Sequence, residues 1–193
     1  ADIRGLINAL GVTKAILVGH DWGAISAWSV AAMYPEVVAG LVSVSMPHPK
    51  RLRRQIFMDT VQRNALSYIY AFQLPFYPEY KLTKNEGAEV ESILRAWSGS
   101  SWPDEETAAV YRAALLGHAS AHCALEYHRW ALRSIPRRDG RTYQSKMENP
   151  ITAPVLQIHG ELDGAITIRT AERDNEYVQG PYDYYLMPDV GHF

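Results

Sequence analysis

One pentapeptide constrains this chain more than any other stretch: Gly19-His20-Asp21-Trp22-Gly23. It follows the apolar run Lys14-Ala15-Ile16-Leu17-Val18 and precedes Ala24 to Tyr34, a series of small and apolar residues stopped by Pro35. The run reads as a fully buried strand of a parallel sheet, and the stretch after the turn as a helix. A strand, a tight turn of the form Gly-x-nucleophile-x-Gly and a helix make a nucleophile elbow. The glycines permit a crowded bend that lifts one side chain out of the sheet at the helix N-terminus. Here that side chain is Asp21. A carboxylate needs no base to deprotonate it at neutral pH, and the helix dipole favours its ionised form. It attacks a carbon bearing a leaving group, and an ester results.

Such an ester must be hydrolysed, which takes a general base, normally a His oriented by an acid. Both residues occur later in the chain. Asp163 follows the apolar strand 155–158 in His159-Gly160-Glu161-Leu162-Asp163, and His192 follows the strand 183–187 in Pro188-Asp189-Val190-Gly191-His192. The order nucleophile, acid, His is that of the α/β-hydrolases. Each candidate sits just past a strand's carboxyl end, where open α/β sheets place ligands. Taken singly, each would read as a turn residue, a helix cap or a solvated loop; the order and the placement together favour a triad.

The rest of the chain supports an α/β architecture. A helix carrying Ile3, Leu6, Ile7 and Leu10, closed by Gly11, precedes the first strand, and Val37 to Val44 reads as a second strand after the elbow helix. From Met46-Pro47-His48-Pro49 the pattern changes. Residues 50–149 show helical periodicity, with pieces at roughly 52–70, 87–97, 104–117 and 121–134. The expected organisation is a first core part at 1–46 with the elbow, a helical cap at 47–149, and a second core part at 150–193 with acid and His. Within the latter, Ala165 to Glu176 is expected to be helical. The basic cluster Lys50, Arg51, Arg53, Arg54 reads as a solvated surface.

Charge and cysteine content exclude several classes. With 19 Lys+Arg against 21 Asp+Glu, the chain is not a dedicated nucleic-acid binder. One cysteine, Cys123, rules out a disulfide framework and fits a reducing compartment such as the cytoplasm. The apolar stretches are too short for a membrane span. His118, His122 and His159 have no spacing with Asp or Glu that makes a metal site, and no cofactor is expected. His20 is expected to orient the turn through a ring hydrogen bond. The chain opens without Met and stops at Gly191-His192-Phe193, so a fragment of a longer protein is expected, with an uncovered sheet edge and low stability on its own.

The string Val18-Gly19-His20-Asp21-Trp22-Gly23-Ala24, with His159-Gly160-Glu161-Leu162-Asp163 and Gly191-His192-Phe193, resembles the epoxide hydrolase and haloalkane dehalogenase branch of the α/β-hydrolase superfamily. The resemblance implies a mostly parallel sheet, incomplete here, with an inserted helical cap. It also implies earlier strands, an oxyanion loop of the His-Gly-x-Pro kind and a closing helix, none of which the chain contains. It implies a small, apolar, epoxide-bearing substrate, suited to the cap aromatics Phe72, Phe76, Tyr77, Trp97, Trp102 and Trp130. Trp22 is implied as a pocket residue whose backbone N–H faces the oxyanion. Epoxide hydrolases add two cap tyrosines that bind the epoxide oxygen. The first resembles Tyr68, in Ser67-Tyr68-Ile69-Tyr70-Ala71-Phe72-Gln73, with Tyr70 and Phe72 read as packed aromatics. The second falls in Ala124-Leu125-Glu126-Tyr127-His128-Arg129, where this chain carries His128 in place of tyrosine. Three arrangements are open: His128 donates, Tyr127 donates, or one donor suffices. If a charged His128 is required, activity falls above a pH of about 6.5. Two other readings are a haloalkane or haloacid dehalogenase, and an inactive protein of the same fold.

Overall fold

The computed structural model describes residues 2–99 and 102–193. Among them, four parallel strands form one sheet in the order β1 (Ala15–His20), β2 (Val38–Val44), β3 (Val155–Gly160), β4 (Tyr182–Met187). Helix α1 (Asp2–Ala9) leads into β1, and α2 (Trp22–Met33) crosses from β1 to β2. Between β2 and β3 the chain runs through seven helices: α3 (Pro49–Met58), α4 (Thr60–Ala65), α5 (Tyr68–Ala71), α6 (Tyr77–Trp97), α7 (Glu105–Leu116), α8 (Ser120–Arg133) and α9 (Arg138–Lys146). A short α10 (Ile168–Ala171) and a 3-10 turn (Asp174–Tyr177) connect β3 to β4. No helix among the described residues is long and apolar enough to cross a membrane.

Helix α2 holds one face of the sheet. Its small residues Ala27, Ala31 and Ala32 allow close approach to Val38, Leu41 and Val155. Trp28 is fully buried there, and its indole N–H donates to Ser43 Oγ at 3.0 Å. Burying such a side chain is worth roughly 3 kcal/mol. The opposite face is open, which corrects the expectation of a fully buried first strand. Ile16 and Val18 are 67% and 71% exposed, and Leu156 and Tyr185 lie on the same open face of β3 and β4. Strand β1 therefore alternates although its sequence is uniformly apolar. No described element covers those side chains.

The helical region differs from its periodicity in several places. The piece expected at 52–70 is three helices, because Asp59 leaves the helical conformation and its carboxylate caps α4 by accepting from the Val61 N–H at 2.8 Å. Helix α6 starts ten residues before the expected 87–97 and is broken at Lys84–Gly87, where Asn85, Glu86 and Gly87 have positive φ. Helix α9, rich in Arg and polar residues, has too little apolar periodicity to be seen in advance. The helix expected over Ala165–Glu176 is only the single turn α10 and the later 3-10 turn. Arg51 is no solvated surface residue: it is 4% exposed and donates to the carbonyls of Thr170 and Arg169, tying α3 to α10.

Candidate active site

Asp21 is the N-cap residue of α2, with φ 48° and ψ −118°. A non-glycine residue at positive φ carries strain that its surroundings must hold. Gly19 makes the bend possible: a Cβ there would lie 2.5 Å from the backbone of Gly23. Gly23 needs no such exemption, since a Cβ on it meets nothing within 4 Å. Only one of the two elbow glycines is therefore demanded by packing in this chain.

The bend aims Asp21 at His192. The imidazole Nε2 lies 3.3 Å from Asp21 Oδ1, and Nδ1 donates to Asp163 Oδ2 at 2.8 Å. Asp163 is held by its other oxygen, which accepts from the Ala165 and Ile166 N–H groups, both at 2.8 Å. Asp163 and His192 side chains are buried, whereas Asp21 is 31% exposed. The three residues expected from the sequence thus meet, with the imidazole bridging the two carboxylates. Burial works against charge at His192 and at Asp21. At His192 that effect is outweighed by hydrogen bonds to Asp163 and Asp21 and by their charges, which lift it from 6.5 to about 9. At Asp21, burial is likewise outweighed by the His192 bond and charge and by the Trp22 N–H, and the carboxyl falls below its usual value. The free site is a carboxylate–imidazolium–carboxylate array.

Supporting residues surround the three, and one of them was not singled out by the sequence. Gln62 on α4 is fully buried, donates to the Ala165 carbonyl and accepts from the Thr167 N–H, both at 2.9 Å, fixing the loop that carries Asp163. A polar side chain amid apolar periodicity was the one available signal. The Trp97 carbonyl accepts the His192 N–H at 2.6 Å, and the Trp97 ring meets the imidazole edge-on. His20 Nε2–H donates to the His192 carbonyl at 2.7 Å, so its ring hydrogen bond ties the elbow to the segment that carries His192. His159 is buried behind the acid, donating from Nε2 to the Ile166 carbonyl with Nδ1 at 3.8 Å from Asp163.

The cap candidates fall into two groups. Tyr68 on α5 packs edge-on against Phe72 and beside Trp97, with His128 5.8 Å away between ring centres. Burial, then the charges of Asp21 and Asp163, hold its hydroxyl protonated well above the usual phenol range. Tyr70 turns outward and is 57% exposed, so it is not a packed aromatic. His128 on α8 receives the Trp22 indole N–H on Nε2 at 3.3 Å and faces its own Ala124 carbonyl through Nδ1 at 3.3 Å. Tyr127 is largely exposed, with its ring 5.6 Å from that of Trp22. It lines a cleft of about 570 Å³ between α2 and α8, together with Trp22, Ile25, Met33 and Trp130. Phe76, Tyr77 and Trp130 are exposed, whereas Trp97 meets the His192 ring, Trp102 stacks on Phe193 and Phe72 packs against His128. His118 is exposed, and His122 pairs with Glu79 at 3.1 Å.

Helices α5 and α8 are stitched together beneath these rings. Gln73 donates to the carbonyls of Ile69 and His128, and Arg129 donates to those of Phe72 and Leu74. Arg129, 4% exposed, is itself held by Glu79 through two bonds of 2.6 and 2.9 Å.

The comparisons with known proteins agree with this architecture. The chain is 27% identical to human Epoxide hydrolase 4 over 199 aligned positions, covering all of this chain and 52% of that protein. It is 29% identical to Epoxide hydrolase 1 of Caenorhabditis elegans, over 88% of this chain and 41% of that one. The crystal structure of Bacillus megaterium epoxide hydrolase in complex with an inhibitor superposes with a TM-score of 0.80 at 23% identity, over 99% of this chain and 67% of that chain. The chain spans about half the length of the curated relatives it matches. A family model described as alpha/beta hydrolase fold matches residues 1–193, and the chain belongs to that family.

Proposed function

We propose that this chain carries the reaction centre of an epoxide hydrolase, converting an epoxide to a vicinal diol through an ester on Asp21. The observation that carries the reading is the single imidazole of His192 set between the buried Asp163 and the strained, accessible Asp21. Relatives that bear the name epoxide hydrolase support the substrate class.

Asp21 Oδ attacks one epoxide carbon, its C–O bond breaks, and the ring oxygen becomes an alkoxide. Tyr68, kept protonated by its surroundings, donates a hydrogen bond to that oxygen; one such donor is worth roughly 2–4 kcal/mol to a developing oxyanion. Esterification erases the Asp21 charge, one of the influences that keep His192 protonated. His192 then loses its proton more readily, and that proton balances the one the alkoxide gains. The neutral imidazole, its Nδ1–H held by Asp163, now has a free Nε2 lone pair. It takes a proton from water and is charged again, hydroxide attacks the ester carbonyl, the acyl C–O bond breaks, and the leaving alkoxide takes up the proton of the added hydroxyl, so that Asp21 is a carboxylate once more. The diol departs, and Asp21 keeps one oxygen from solvent. His192 is thus cationic while the nucleophile must be ionised and basic once an ester needs water.

Repeated turnover in heavy-oxygen water, with mass analysis of the peptide containing Asp21, tests the reading. Label in that carboxylate is expected; diol formed with no label in Asp21 excludes the ester. Halide release from a chlorinated alkane without epoxide turnover would favour a dehalogenase instead.

A further inference from the structure

His128 stands where the resemblance implies a second tyrosine, and its two ring nitrogens are already committed. Nδ1 faces the Ala124 carbonyl at 3.3 Å, which can only accept, so Nδ1 carries the hydrogen in the neutral ring. Nε2 is then a lone pair, and it accepts the Trp22 indole N–H at 3.3 Å. A neutral imidazole in this setting has no hydrogen left for a substrate oxygen. A tyrosine at the same place would bring its own O–H at any physiological pH.

We infer that His128 is a proton-gated second oxygen donor: neutral, it serves only to position the Trp22 indole; protonated, it adds an Nε2–H to the site beside Tyr68. On protonation Nε2 can no longer accept, so the Trp22 indole N–H is released from it. The inference rests on Asp21 as the nucleophile and adds the donor that the core alone does not supply. It makes opening of the epoxide ring an acid-favoured step.

The groups that set the proton state of His128 come from every element around it. From the elbow, Asp21 favours the cation. From α5, Tyr68 and Phe72 pack against the ring and bring no charge. On its own helix Glu126 and Arg129 pair with each other, and Arg129 is neutralised further by Glu79. Behind Asp21 stand the His192 imidazolium and Asp163. Burial is the largest influence and leaves His128 below its ordinary value, against the Ala124 carbonyl and Asp21. From pH 5 to pH 8, by contrast, Asp21 stays ionised, His192 stays largely charged and Tyr68 stays neutral.

The test is single-turnover formation of the Asp21 adduct from styrene oxide, followed by mass analysis of quenched samples at pH 5 to 8. Wild type, His128→Tyr and His128→Phe chains are compared. Wild type should form the adduct at least tenfold faster at pH 5 than at pH 8. His128→Tyr should be fast and pH-independent within about twofold, and His128→Phe slow and pH-independent. A second readout is the indole N–H resonance of Trp22, assigned by its loss in Trp22→Phe. It should move with the titration midpoint of His128 in wild type and stay fixed in His128→Tyr. An adduct that forms at a pH-independent rate in wild type, or with the same pH profile in His128→Tyr, overturns this inference and leaves the Asp21 reading intact. A Trp22 resonance that ignores the titration of His128 overturns it as well. No adduct at any pH defeats the Asp21 reading, and this inference with it.

Discussion

Replacing Asp163 with Asn tests how the triad is held together. The carboxylate has two jobs: Oδ1 accepts two backbone N–H groups, and Oδ2 accepts from His192 Nδ1. An amide oxygen can keep the first job, so the loop should survive. The second job is lost, because the amide N–H₂ facing Nδ1 reverses the tautomer and places a hydrogen on Nε2. The charge that helps lift His192 from 6.5 to about 9 goes as well. Across that gap, selective stabilisation of the protonated ring is worth about 3 kcal/mol. The folded value lies above the unfolded one, so this stability is complete below pH 6.5, shrinks as pH rises, and is gone above about 9. The His192 contribution to denaturant unfolding of the wild-type chain should therefore decline by about 3 kcal/mol between pH 6 and pH 10, against the gain that buried His48 and His159, held below their ordinary value, add in both proteins as pH rises from 6. Asp163→Asn should lose most of that slope, and its His192 ring proton resonance should titrate well below that of wild type. With an epoxide, the variant should accumulate ester on Asp21, since a protonated Nε2 cannot take a proton from water. The reasoning fails if wild-type His192 titrates at or below 6.5, or if both proteins lose stability in parallel over the interval.

Other changes separate the packing arguments. Gly19→Ala should abolish cooperative folding, because its Cβ would meet the Gly23 backbone, whereas Gly23→Ala, in open space within α2, should be neutral or stabilising by up to about 1 kcal/mol in thermal unfolding. Arg129→Met strips a buried cation from Glu79 and leaves the Phe72 and Leu74 carbonyls without their donor; a loss of roughly 3–5 kcal/mol is expected by denaturant titration, with adduct formation reduced further as Tyr68 loses its support. His20→Ala removes the donor to the His192 carbonyl and should cost about 1 kcal/mol of stability, read by thermal melting.

The core was legible because backbone geometry writes itself into the sequence. Gly19 had to be small, Asp163 and His192 had to follow strands, and the four strands are short apolar or aromatic runs that pair in parallel. The burial of β1 was misread for a related reason. A uniformly apolar strand implies cover on both faces, yet no described element packs over the face of β1 that carries Ile16 and Val18. The run reports what the strand is suited to, not what this chain supplies.

The cap was less legible because side chains reaching distant carbonyls shape it. Arg51 binds two carbonyls on α10, Gln62 holds the loop after Asp163, and Arg129 joins α8 to the residues after α5. None of these bonds has a period, so charged residues such as Arg51 looked like surface. The same bonds fix where Tyr68 and His128 sit, since Gln73 and Arg129 lock the two segments from below. Asp21 and His192, by contrast, are placed by the backbone of the core. Exchanging tyrosine for histidine at position 128 can thus alter which hydrogens meet the substrate oxygen while Asp21, His192 and Asp163 keep their distances. On the proposed reading, the covalent step is set by the sheet, and its dependence on acidity by one residue of the cap.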